Sequence, residues 1–198
     1  SLLRFRAFYV QYNNTLDQFK DKEMTNRQFE STYDNSVYGL FALADFALSQ
    51  TNSLKLSLTY QNDKARTQDD VDLPWSEYQQ GTFSAGIEDH LSIARNWRFV
   101  IGLSMDYLDK FIGENTSKFN PLLGIKFSPT DEADLHLSLS KKSKFPSMRS
   151  MYSTSSGNPN LLSEAGTNWE LGFILNKGIY LAGAVFLNRF KDFIDTIR

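Results

Sequence analysis

Residues 97–107 read Trp97-Arg98-Phe99-Val100-Ile101-Gly102-Leu103-Ser104-Met105-Asp106-Tyr107, and their alternation decides the fold. Trp97, Phe99, Ile101, Leu103, Met105 and Tyr107 fall on one side, and Arg98, Val100, Gly102, Ser104 and Asp106 on the other. Period two marks a strand with unlike faces, because successive side chains point to opposite sides of a sheet. At ~3.3 Å per residue the stretch reaches about 36 Å, enough to cross an outer membrane at a tilt. Trp97 and Tyr107 close the apolar row at its ends, where aromatic girdles meet the interface between lipid and water.

The same alternation recurs on both sides of this stretch. Leu54, Leu56, Leu58 and Tyr60 oppose Lys55, Ser57, Thr59 and Gln61; Leu135, Leu137 and Leu139 oppose His136, Ser138 and Ser140. Trp169, Leu171, Phe173 and Leu175 oppose Glu170, Gly172 and Asn176. Segments near 3–9, 36–48, 81–92, 119–128 and 179–190 complete a set of about nine strands. Between them, long polar stretches near 13–35, 62–80, 110–118 and 143–166 alternate with tight turns near 49–52, 94–96, 128–132 and 176–178. Long and short connections in strict alternation predict an antiparallel up-and-down meander, all-β, that forms part of a transmembrane barrel with long loops outside. A soluble sandwich or small barrel also alternates, but it gives no reason for this rhythm of loops.

Composition narrows the function classes. Mean hydropathy is −0.40 and no apolar run nears the roughly 20 residues of a membrane helix, which excludes a helical membrane protein and leaves a barrel open. Lysine and arginine total 21 against 23 acidic residues, so no basic field would hold nucleic acid. Cysteine is absent, which excludes disulfides, thiol catalysis and cysteine zinc sites. Ser1-Leu2-Leu3-Arg4 has no leader character, so the expectation is a mature chain or an excised piece.

Few residues offer chemistry. His136 and Ser138 share one face of a strand, but a hydrolase needs a base, a nucleophile and an orienting acid together, and a polar barrel wall accounts for the pair. Glu88-Asp89-His90 reads as a solvated turn with a metal site as the alternative, Asp69-Asp70-x-Asp72 as an acidic loop or a calcium site, and Asp131-Glu132-x-Asp134 as turn chemistry. Hence no catalytic residue, no metal ligand and no cofactor is expected. Lys141, Lys142, Lys144 and Arg149, interleaved with Phe145 and Tyr152, make a basic and aromatic cluster at an extracellular mouth. It suits an anionic small-molecule ligand such as a ferric siderophore, or phosphates of lipopolysaccharide.

From 119 onward the order of elements resembles the C-terminal barrel region of TonB-dependent outer-membrane receptors. The elements are Phe119-Asn120-Pro121-Leu122-Leu123-Gly124-Ile125, then Ser143-Lys144-Phe145-Pro146-Ser147-Met148, then Gly157-Asn158-Pro159-Asn160-Leu161-Leu162-Ser163-Glu164 with Trp169-Glu170-Leu171-Gly172. Ser163 stands where the family has proline, and Lys144-Phe145-Pro146 is a shortened form of its element. The resemblance implies energy-coupled uptake of a scarce nutrient such as an iron–siderophore complex, with outer-membrane lipid and lipopolysaccharide around the barrel. It implies a plug domain that contacts the TonB energy-coupling protein. Residues 1–198 contain no plug and end at Ile197-Arg198, so they are expected to be one portion of a larger barrel. A porin-like passive channel or an outer-membrane barrel enzyme are the alternatives.

Overall fold

The computed structural model describes residues 1–153 and 157–194. Among these residues nine strands follow one another in a single antiparallel sheet: β1 (Leu2–Phe19), β2 (Arg27–Ala47), β3 (Asn52–Gln68), β4 (Ser76–Ala94), β5 (Trp97–Asp109), β6 (Thr116–Thr130), β7 (Ala133–Lys144), β8 (Glu164–Lys177) and β9 (Ile179–Lys191). Their spatial order is their chain order, the meander expected from the alternation. One short helix, α1 (Met148–Tyr152), lies between β7 and β8. The last residues, Ile197 and Arg198, and part of the 143–166 connection lie outside the described residues.

Register carries each outward row across the whole sheet. Leu3 pairs with Ala44, Ala44 with Leu56, Leu56 with Ile87, Ile87 with Leu103 and Leu103 with Pro121. On the far side Leu123 pairs with Leu139, Leu139 with Trp169 and Trp169 with Leu187. A slip of one residue would turn each apolar set to the other face, so this agreement fixes the register. These side chains stand exposed: Leu171 is 60 % accessible and Val185 77 %. An apolar face this continuous is stable only against lipid.

The band has definite edges. At one end Trp97 stacks on Phe127 with ring centroids 4.4 Å apart. At the other end Tyr38 and Tyr60 approach to 6.2 Å, and Phe83 pairs with Tyr107. From Trp97 to Tyr107, with strands tilted by about 40°, the band is about 25 Å tall, the height of an outer-membrane barrel's apolar belt.

The strands do not stop at the band, and here the sequence reading is corrected. Residues 13–19 and 27–35 were expected in a loop, as were 62–68 and 76–80; all are paired strand, leaving connections of only 20–26 and 69–75. Above the lipid the outward positions turn polar, so the apolar alternation vanishes while the backbone ladder continues. Asp34, Arg66 and Glu77 are cross-strand neighbours there, and Arg66 Nε lies 3.0 Å from Glu77. Lys64 Nζ lies 3.4 Å from Glu77, and the Arg66 guanidinium covers the Trp75 ring at 4.5 Å.

Glu88-Asp89-His90 is likewise strand rather than turn. Glu88 and His90 belong to the inner row, where they hydrogen-bond to each other. Asp89 pairs with Leu54 and Ile101 in the outward row. One of its carboxylate oxygens is buried without a partner, and the other is 3.5 Å from the Asn52 amide. It is a charged side chain set among apolar neighbours of the outward row.

Candidate functional site

The inner face is polar where the outer face is apolar. Arg98, Lys126 and His136 form one cross-strand row, and Ser104 and Asn120 another. Lys126 Nζ lies 2.8 Å from Asp134, and His136 Nε2 lies 3.0 Å from Glu170. His136 lies against Gly172, where an added Cβ would fall 2.3 Å from the imidazole. Ser138 makes no hydrogen bond to His136 among the described residues, so nucleophile and base are not assembled. Asn120 donates to Asp106 at 2.6 Å and accepts from Ser143 at 2.9 Å, which ties β5, β6 and β7 together from inside.

At the extracellular end the inner face is covered. Ser147 caps α1 by accepting from the Ser150 N–H at 3.1 Å, and the helix turns back over the sheet. Of its own residues Met151 is fully buried and Tyr152 is 6 % accessible. Tyr152 stacks on Tyr78 with centroids 5.3 Å apart, and Phe111 meets both rings edge-on. Burial of Met151 and Tyr152, the latter against Tyr78 and Phe111, draws the segment inward.

Between α1 and the inner faces of β1–β4 lies a cavity of about 530 Å³. Tyr12, Tyr33, Asn35 and Thr67 face it from the sheet, and Arg149 and Tyr152 from α1 and its flank. A shallower trough of about 350 Å³ lies nearer the membrane midplane, lined among others by Ser57, Gly86, Ser104, Ser140 and Lys142.

The expected basic cluster divides between these places. Arg149 and Tyr152 line the cavity. Lys141 and Lys142 both line the trough, although by register they belong to opposite rows, Lys141 continuing the outward one. Lys144 is 79 % exposed at its side chain and lies 3.1 Å from Glu164. Phe145 is half-buried in the connection to α1. Glu164 also accepts from the Ile194 N–H at 2.9 Å; that bond first, and Lys144 second, hold its carboxyl below the usual glutamate range. In the 69–75 connection Asp70 accepts from the backbone N–H groups of Glu30 and Val71, which is turn chemistry. No group of three histidine or carboxylate side chains that could hold a metal ion occurs among the described residues.

Sequence reasoning did not find Tyr12, Tyr33, Asn35, Thr67 or Tyr78. All lie in, or at the margin of, stretches expected to be loops. Only their shared parity, once the strands are extended, puts them on one face.

The model of the TonB dependent receptor-like β-barrel matches residues 2–198. The chain belongs to that family. Its barrels lie in the bacterial outer membrane, and they serve transport, not enzymatic catalysis. Solved structures agree in fold. The copper transporter OprC superposes with a TM-score of 0.76 at 14% identity, over 96% of this chain and 36% of that one. The siderophore receptor PirA from Acinetobacter baumannii gives 0.72 at 20% identity, over 96% and 32%. The FrpB iron transporter (F5-1 variant) from Neisseria meningitidis gives 0.72 at 18%, over 94% and 33%. The chain thus spans about a third of the length of the structures it matches. No curated protein matches it in sequence.

Proposed function

We propose that residues 1–198 form part of the barrel wall of an energy-coupled receptor that imports a small nutrient across the outer membrane. The observation that carries this reading is the cavity under α1. A lipid-banded wall needs no inward-folded helix at its outer end, whereas a receptor needs a place to hold cargo before it enters the lumen. Arg149 and Tyr152 are the members of the basic and aromatic cluster proposed to touch that cargo. Metal-related cargo, such as an iron–siderophore complex, is favoured by likeness to proteins named as copper, iron and siderophore transporters. The remaining partners in this reading are lipid and lipopolysaccharide at the outer wall and, through a plug domain, the TonB energy-coupling protein.

The test is uptake by cells carrying the full-length receptor, with and without a protonophore. Energy-coupled import should stop when the proton gradient collapses. Uptake that continues unchanged would mean a passive porin-like channel instead.

A further inference from the structure

We infer that the outer wall of β7–β9, just above the apolar band, is a binding site for the phosphorylated saccharide headgroup of an outer-leaflet glycolipid. This rests on the outer-membrane location and not on the cargo reading. Register builds the site. The last apolar rung of the outward row is Leu139, Trp169 and Leu187. The next outward rung toward the extracellular end is Lys141, Thr167 and Arg189, and the one after it is Ser143, Ala165 and Lys191. Three cations thus surround the small side chains of Thr167 and Ala165. With strands ~4.8 Å apart and ~3.3 Å per residue, the backbone of Lys141 stands about 10 Å from Arg189, and Arg189 about 7 Å from Lys191. That spread exceeds one phosphate and fits a disaccharide phosphorylated at both ends. The Arg189 fork can take two oxygens of one phosphate, with Lys191 beside it, while Lys141 meets the other phosphate as a point charge. The Thr167 hydroxyl lies between them for the sugar.

Two contrasts separate this surface from ordinary rim charge. The first is pairing. On the tall strands the outward cations Lys64 and Arg66 lie 3.4 and 3.0 Å from Glu77. Lys141, Arg189 and Lys191 are exposed and have no ion pair among the described residues. The described carboxylates nearest them in the chain do not answer them. Glu164 is on the inner row, held by Lys144 and the Ile194 N–H, and Asp192 lies past the end of β9 at a φ of 55°. The second contrast is height. Trp169 and Leu187 are exposed directly below, so acyl chains can lie on them while the headgroup reaches the cations. A free anion would leave that apolar surface unused, and a zwitterionic phospholipid would bring its own ammonium against three cations.

The experiment is native mass spectrometry of the purified full-length receptor in detergent with bisphosphorylated lipid A. Dephosphorylated lipid A, phosphatidylglycerol and inorganic phosphate are the comparison probes. Lipid A should bind about tenfold or more tighter than dephosphorylated lipid A or phosphatidylglycerol, and millimolar phosphate should not displace it. Lys141→Gln with Arg189→Gln and Lys191→Gln should weaken it about tenfold or more, from the loss of three attractions that are each modest at a membrane surface. Lys141→Arg with Lys191→Arg keeps the charge and should keep the lipid, which separates loss of the site from misfolding. Lys64→Gln with Arg66→Gln removes cations that are already paired and should change binding by less than about twofold. Equal binding of dephosphorylated lipid A or phosphatidylglycerol, displacement by phosphate, an unaffected triple variant, or equal losses at the two sets of cations would each overturn the inference. Cargo uptake plays no part in this measurement, so its failure leaves the receptor reading standing, and gradient-independent uptake would overturn that reading alone.

Discussion

β1–β4 and β5–β9 cross the same membrane and differ in what they do beyond it. In both sets the outward row is apolar over the same height, from the level of Trp97 to that of Tyr107. Above that level β2 continues through 27–37 and β3 through 61–68, whereas β5 ends at Asp109 and β6 begins at Thr116. The tall strands carry ion pairs on the outside and the cavity on the inside; the short ones carry turns and α1. Within lipid the solvent dictates side-chain type position by position. Above it only the hydrogen-bonded ladder must be kept, and the outward row is free to vary.

The largest effect expected from that contrast is a charge placed in each zone. In the intact receptor Leu103→Arg, between Ile87 and Pro121 in the middle of the band, should destabilise by about 2–4 kcal/mol in denaturant unfolding from lipid. Gln79→Arg, outward on the tall part of β4, should stay within about 0.5 kcal/mol. Similar costs at both sites would erase the boundary between band and overhang.

A second expectation runs in the opposite direction. Asp89→Leu removes the charge that stands in the band with an unpartnered oxygen, and should stabilise the barrel by about 1–2 kcal/mol in the same unfolding measurement. Loss of stability would show that this carboxylate has a partner in the assembled receptor.

Arg66→Ala tests how much the outer ion pairs contribute. They are solvent-exposed, so the loss should be below about 1 kcal/mol and should shrink further as salt rises. A salt-independent loss of several times that size would mean the tall strands depend on this network.

The smallest effect concerns the short side. The Glu164 carboxyl titrates below its unfolded value, so its bonds to the Ile194 N–H and to Lys144 are at full strength above the ordinary glutamate pKa of about 4.3. They should weaken as pH falls through the lowered value. Amide exchange at Ile194 should therefore lose protection only on acidification below about pH 4, while the tall strands keep theirs. Loss of protection near neutral pH would assign the bond to another group.

Much of this molecule is legible from its sequence, and the reason is local. Leu54 to Tyr60, Trp97 to Tyr107 and Leu135 to Leu139 alternate because lipid on one side and a polar interior on the other impose opposite demands on adjacent residues. Strand number, order, outward row and membrane location follow from that pattern together with the rhythm of short turns, such as Gly178 at a positive φ of 69°. Where lipid ends, the local demand ends too. Tyr33, Asn35, Thr67 and Tyr78 look like loop residues in the sequence because nothing periodic surrounds them. Cross-strand hydrogen bonds, which leave no mark on residue type, make them strand. The division of the basic cluster was equally hidden, because adjacent lysines such as Lys141 and Lys142 part company only when register assigns them to opposite rows. The cavity is the most tertiary feature of all. It exists because Tyr152 buries itself against Tyr78 and Phe111, residues far apart in the chain, and burial between distant segments is a property of the folded molecule alone.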